Sequence, residues 1–312
     1  MNKMSPLREA PQVTVARRVG MTGVGLHCGL SVTATLCPAP VDHGLVFLRK
    51  DLGRRFPVSW KHAVESPLCT TLVDPAGEKI GTVEHLVSAL YALGVDNVLV
   101  ELDGPEVPAL DGSADRFIAL IDRAGLRRQG SPKRAIEILE QVSVEDGDRS
   151  AALEPAPRFE MAFDIDFPDP AIGRQVWRGA ITERLYREEI AKARTFGLLA
   201  EVEAMRKHGL GLGGSLENAV VVDAGKVLNP GGLRYADEFV RHKVLDAIGD
   251  LALAGAPIVG RFVGHKAGHA LTLRLVKALM ASPEAWRWVA LEDSSVGGAS
   301  SLVSVRAAAQ RV

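Results

Sequence analysis

The sequence predicts an α+β fold of two similar halves, and three observations carry that expectation. Strand-like stretches precede helical ones in each half, so that the order of the first half starts again in the second. A glycine- and proline-bearing break at Gly130-Ser-Pro-Lys133 separates them, giving domains at 1–130 and 131–312. A histidine-headed segment also occurs twice. Glu84-His-Leu-Val-Ser-Ala-Leu leads to Gly94 and a strand, and Arg241-His-Lys-Val-Leu-Asp-Ala-Ile leads to Gly255 and a strand. Each places its histidine in the first turn of a helix.

Taken in order, Val13, Val15 and Val19 lead into the glycine-rich turn Gly23-Val-Gly-Leu-His-Cys-Gly29, where His27 is either a plain turn residue or faces a ligand. Ser31–Leu36 alternates at period two, Pro38 and Pro40 break it, and Gly44–Leu48 follows as a strand. After the strand Thr70–Val73 and the turn Asp74–Gly77, Thr82 is placed to cap a helix over Val83 to Leu93. Asp96–Leu102 reads as a strand, and Asp111-Gly-Ser-Ala114 opens a helix through Leu120. Beyond the break, strands fall near 135–145, 151–154 and 158–167, and Thr182 opens a helix to about Ala191. Residues 197–216 form an apolar insert. It holds a short helical pattern (Leu198, Leu199, Val202, Met205) and then Gly209-Leu-Gly-Leu-Gly-Gly-Ser215, which lacks the Gly-Lys-Ser/Thr and preceding strand of a phosphate loop. A hairpin spans Ala219–Leu228, and His269–Met280 is a last helix with Leu271, Leu275 and Leu279 on one face. The tail from about Glu284 shows no clear pattern.

The 312 residues leave room for a well-buried core. A net charge of −1 and 5% aromatics give neither the basic surplus nor the stacking platforms of a nucleic-acid binder. Cys28, Cys37 and Cys69 are odd in number and lack metal-type spacing, which suits a reducing cytoplasm. The N-terminus has no apolar core of a secretory signal, and no apolar run approaches a membrane span, leaving at most peripheral membrane contact.

The chemistry concentrates on Phe239–Leu251. His242, Asp246 and Asp250 are successive four-residue steps, each roughly 40° round the helix from the last. Taken alone, the pattern also describes a solvated polar stripe. If the two halves pack face to face, His85, His242 and Asp246 converge as three N/O ligands with an open position, the constitution of a catalytic zinc site. Glu84, beside a ligand, then suits a general base, His269 a general acid, and Asp250 the carboxylate that orients that imidazole and favours its charged form. The same two-histidine, one-carboxylate set describes an Fe(II) oxygenase, and a carbohydrate- or nucleotide-binding module with a structural metal is a third reading.

Thr82-Val-Glu-His-Leu86, Asp111-Gly-Ser-Ala114, Ala193-Arg-Thr-Phe-Gly197 and Asp237–Leu251 together resemble the UDP-3-O-acyl-N-acetylglucosamine deacetylases, the zinc enzymes of lipid A biosynthesis in Gram-negative bacteria. The resemblance runs from Gly23 to Ala270. It implies two α+β domains, each a sheet layered with helices, with helices of both sandwiched between the sheets. It implies removal of the acetyl group from UDP-3-O-acyl-N-acetylglucosamine, the committed step of that pathway. It assigns His85, His242 and Asp246 to the metal (zinc, with Fe2+ possible in vivo), Glu84 as base and His269 as acid with Asp250 in support. Thr195 is implied to stabilise the oxyanion. Lys243, Phe196, Leu68, Cys69, Gly214 and Ser215 are implied to bind substrate, with the 197–216 insert forming an acyl passage. The implied partner is a small-molecule substrate, with no nucleic acid and no protein partner, in the cytoplasm. Gly211 stands where a larger residue can occur, residues after about 285 do not match, and no dehydratase domain is fused at the C-terminus.

Overall fold

The computed structural model describes residues 9–66 and 68–293. The first eight residues, where a secretory signal was sought, and the patternless tail beyond 293 lie outside the described residues.

Six α-helices are described: α1 (Glu84–Ala92), α2 (Asp115–Ala124), α3 (Glu183–Leu185, continuing as a π-helical turn Tyr186–Ile190), α4 (Leu199–Lys207), α5 (Glu238–Leu251) and α6 (His269–Ala281). Two five-stranded sheets frame them. One runs Val19–Val24, Ser31–Pro38, Val98–Leu102, Leu45–Arg49, Arg54–Pro57. The other runs Val142–Asp146, Arg149–Glu154, Arg261–His265, Glu160–Asp166, Arg174–Ala180. The topology is the same in both: a hairpin on each side of a central strand that is antiparallel to one neighbour and parallel to the other. In each half the central strand follows one helix (α1 or α5) and leads to another (α2 or α6). The weak sequence echo is thus a structural duplication.

The helices α1 and α5 lie between the sheets, in a core shared by both halves. Eight of nine residues of α1 and twelve of fourteen of α5 are buried. A helix enclosed on all sides has no polar face to keep in water, which explains the mixed apolar spacing of α5. The two helices approach closely at Gly249, where an added Cβ would lie 2.3 Å from the Glu84 carbonyl oxygen. Only glycine admits this crossing, and the crossing sets Glu84 and His85 opposite Asp246 and Asp250.

Each half carries an insert between its last hairpin and its enclosed helix. The first is a small sheet of Ala63–Val64, Thr71–Val73 and Lys79–Ile80. The second, larger insert holds α3, α4 and the sheet Phe196–Leu198, Val220–Asp223, Lys226–Val227.

Several local expectations give way. Thr82 does not cap α1. It sits at φ +55°, the cap position is Val83, and the Thr82 hydroxyl donates instead to Glu106 Oε1 at 2.8 Å. Gly130, Ser131 and Pro132 are the end of a strand, Leu126–Pro132, that pairs with Pro11–Val15, and Lys133 follows it. Strands at Arg54–Pro57, Arg174–Ala180 and Trp286–Ala290 have little or no apolar alternation, because they are sheet-edge strands with few inward side chains.

Candidate metal and acid–base site

His85 sits in the first turn of α1 as expected, but His242 lies in the second turn of α5, with Asp246 one turn further on, and there the two halves bring three donors together. His85 Nε2 and His242 Nε2 lie 3.4 and 3.2 Å from Asp246 Oδ1, and the three donor atoms fall within 4.8 Å of one another, all on buried residues. The imidazoles meet edge to face, with centroids 4.9 Å apart. Asp246 Oδ1 is buried without a hydrogen-bond partner, while Oδ2 accepts from Lys243 Nζ at 2.8 Å. A buried carboxylate oxygen left unpaired between two ring nitrogens is costly unless a cation completes it, so this donor set fits a divalent metal.

The supporting contacts favour the same use. His242 Nδ1 donates to the Ala193 carbonyl at 3.1 Å, which leaves Nε2 as the lone-pair nitrogen. Burial drives the His242 pKa down to about 4, with the Asp246 charge working against it, so the ring is neutral. Burial disfavours charge on Asp246 too, but His242 and Lys243 outweigh it and hold the carboxyl well below its ordinary range.

Beside the donors sits an acid–base pair. Glu84 is buried, and burial pushes its pKa well above the usual carboxylate value even though His269 opposes the shift. One of its oxygens accepts the Thr70 N–H at 3.0 Å, and the other lies 3.8 Å from His269 Nε2. His269 opens α6. Its Nδ1 donates to Asp250 at 3.0 Å, and the same carboxylate accepts the Thr70 hydroxyl. Burial disfavours a charged His269, yet Asp250 and Glu84 together raise its pKa to about 9. An imidazolium therefore faces a carboxyl group across the mouth of the donor cluster.

Ala193–Phe196 forms a strap against α5. Arg194 pairs with fully buried Glu238 through Nε (2.8 Å) and Nη2 (3.1 Å), and Thr195 is held by Gly112 on one side and Val220 on the other. Phe196 packs on Phe239 and stands edge-on to His242, with centroids 6.2 Å apart.

Residue by residue, His85, His242, Asp246, Glu84, His269, Asp250 and Lys243 form one cluster, with Thr195 and Phe196 on the strap beside it. Cys69 is buried next to Thr70, within electrostatic reach of Glu84, whereas Leu68 is exposed. Gly214 and Ser215 lie in the larger insert. The Gly214 carbonyl accepts from Arg206, the Ser215 N–H donates to Asn218, and no described contact joins either to the cluster. Thr70 is the contributor that sequence reading missed. It touches both Glu84 and Asp250 from the position just before the insert strand Thr71–Val73, and nothing in local spacing marks it.

Two imidazoles and a carboxylate close enough to share one ion, adjoined by the buried carboxyl and imidazole of Glu84 and His269, are the constitution of a metal-dependent hydrolase centre. The model of the UDP-3-O-acyl N-acetylglycosamine deacetylase family matches residues 12–281. Proteins named UDP-3-O-acyl-N-acetylglucosamine deacetylase are similar over nearly the same span. The one from Phenylobacterium zucineum is 52% identical over 279 residues, covering 88% of this chain and 95% of its own. That from Myxococcus xanthus is 49% identical over 280 residues, with 89% of each chain covered. A Shewanella protein is 47% identical over 288 residues, covering 91% of this chain and 94% of its own. The chain belongs to the UDP-3-O-acyl-N-acetylglucosamine deacetylase family.

Proposed function

We propose that this chain removes the acetyl group from UDP-3-O-acyl-N-acetylglucosamine, releasing acetate and the free amine, the committed step of lipid A biosynthesis. The observation that carries the mechanism is the Glu84–His269 pair, 3.8 Å apart, beside the His85–His242–Asp246 donors. Those three donors would hold zinc, or Fe2+ in vivo. When bound, the ion supplies Lewis acidity to the acetamide oxygen and lowers the pKa of a coordinated water. Glu84 takes the proton as water attacks the carbonyl carbon. The Thr70 N–H holds one of its oxygens, and the other lies toward His269. His269, cationic and oriented by Asp250, faces the developing oxyanion and then donates its Nε2 proton to the departing amine. The Thr195 hydroxyl adds a donor to the oxyanion.

Lys243 and Phe196 serve the sugar and diphosphate, with Leu68, Cys69, Gly214 and Ser215 completing the substrate's surroundings. Exposed Leu210, Leu212 and Leu216 of the larger insert support an acyl passage there. The loop tip is seated on the first half, where the Leu212 and Gly213 N–H groups donate to His27 and Leu26. Cytoplasmic residence is supported by three free cysteines, and no described helix is long and apolar enough to cross a membrane. The partner is the small-molecule substrate, with at most peripheral membrane contact. We divide the chain into domains 1–130 and 131–312, a division that the repeated topology supports although the strand Leu126–Pro132 crosses the boundary.

The test is acetate release from UDP-3-O-acyl-N-acetylglucosamine by the purified chain. A chelator should abolish it, and added zinc or Fe2+ should restore it. Glu84→Ala should keep metal and substrate binding while turnover falls about two orders of magnitude or more. Full turnover by Glu84→Ala would overturn the base assignment. Dependence on oxygen and 2-oxoglutarate would overturn the reaction class.

A further inference from the structure

We propose that Thr82 and Glu106 form a latch that positions the head of α1, and with it both Glu84 and His85. This inference rests on the deacetylase reading for its kinetic arm only.

Helix α1 has no side-chain cap, so nothing local to the helix fixes the direction of its first turn. That turn nevertheless carries two functional side chains in succession. The residue two places before Glu84 is Thr82, 4% exposed and at φ +55°. A β-branched residue in the left-handed region is a genuine outlier, and it persists only where surrounding contacts over-determine it. Those contacts are present. The preceding Gly81 is clamped to the 105–107 segment, its N–H donating to the Pro105 carbonyl (3.0 Å) and its own carbonyl accepting from Val107 (3.1 Å). The Thr82 hydroxyl donates to Glu106 Oε1.

Glu106 is itself 3% exposed, and its remaining partners are backbone N–H groups. His27 donates at 2.9 Å to Oε1, and Cys28 at 2.8 Å to Oε2. Three short hydrogen bonds from separate donors converge on its two oxygens, so Glu106 is a firm anchor. Gly25 leaves room for it and for Cys28, since a Cβ there would stand 2.4 Å from Cys28 Sγ and 2.7 Å from Glu106 Oε2. The anchor belongs to the loop framework of the first half and holds the backbone just before α1 in a conformation it would not otherwise keep. Rotation about Thr82 swings the first turn of α1 as a unit. It would move the Glu84 carboxylate off the Thr70 N–H and His85 Nε2 off the metal position. Thr82 and Glu106 are therefore positioning residues.

The experiment compares Thr82→Val, which keeps the shape and removes the hydroxyl, with Thr82→Ser, which keeps the hydroxyl. Acetate release and zinc affinity by competition with a chromophoric chelator are both measured. Thr82→Val should lower kcat by on the order of 10- to 100-fold while KM stays within about threefold, because the proposed sugar and diphosphate contacts lie on α5 and the strap. It should also weaken zinc binding by about tenfold or more. Thr82→Ser should restore both toward wild type. Should Thr82→Val match wild type in both measurements, or Thr82→Ser fall as far as Thr82→Val, the latch is overturned. Wild-type protein that binds zinc but releases no acetate would instead refute the deacetylase reading, and the zinc-affinity comparison would still decide the latch. If Thr82→Val does not fold, Glu106→Gln replaces it. An amide in that place presents a donor to N–H groups that need acceptors, and the same paired losses should follow.

Discussion

The surroundings of His269 oppose the effect of its burial. Asp250 and Glu84 raise its pKa from 6.5 to about 9. A group whose folded-state pKa is raised stabilises the fold fully below its unfolded value, here about 6.5, and the contribution is lost as pH rises through about 9. In the metal-free protein, an NMR titration should therefore place the His269 ring near 9. Asp250→Asn should bring it down, because the largest favourable charge is gone. Added zinc should lower it too, since a nearby cation disfavours imidazolium. A ring that titrates near 6.5 in all three samples would contradict the ion-pair geometry. The place of His269 at a helix start was legible in the sequence. The Thr70 hydroxyl on Asp250 was not, because the two residues are 180 positions apart.

At the scale of elements, the crossing of α1 and α5 carries the site. Gly249→Ala puts a methyl 2.3 Å from the Glu84 carbonyl, so one helix must move. Overpacking of this kind costs about 1–3 kcal/mol, read as a lower melting temperature. The displacement should also weaken zinc binding, because the crossing sets the distance between His85 and Asp246. The strap is the second element. Arg194→Met strips Glu238, fully buried, of its cation, and breaking such a pair costs about 3–5 kcal/mol, measurable by denaturant unfolding. The Ala193 carbonyl that orients His242 lies one residue away, so zinc affinity should fall as well. A strap variant with wild-type zinc affinity would show that the Ala193 contact holds without its ion pair. The helices α1, α5 and α6 were legible from periodicity and glycine stops. The edge strands were not, because exposed edges carry no apolar alternation.

At the scale of the molecule, the three groups that could hold a metal span the two halves: His85 from the first, His242 and Asp246 from the second. A ligand that binds only the folded state stabilises it by mass action, about 2.7 kcal/mol at a hundredfold excess over Kd. Zinc should accordingly raise the melting temperature of the chelated protein. His85→Ala should abolish most of that increment, although it removes a side chain from only one half. An increment equal to wild type would mean that the ion sits elsewhere. The duplicated topology explains the arrangement. Each half encloses one helix beneath its sheet, and packing the halves together sets the head of α1 against the later turns of α5.

The sequence by itself determined the helix registers, and with them the stacking of His242, Asp246 and Asp250 on one face, because a four-residue step on a helix is geometry that needs no partner. It also held the family motifs that mark the donors and the acid–base pair. Only the tertiary structure decided what those residues meet. The 2.3 Å approach at Gly249, the Thr70 bridge, the left-handed Thr82 and the unpaired oxygen of Asp246 all depend on contacts between segments distant in the chain. Such contacts leave no periodic trace in sequence, since they are fixed by how whole layers pack.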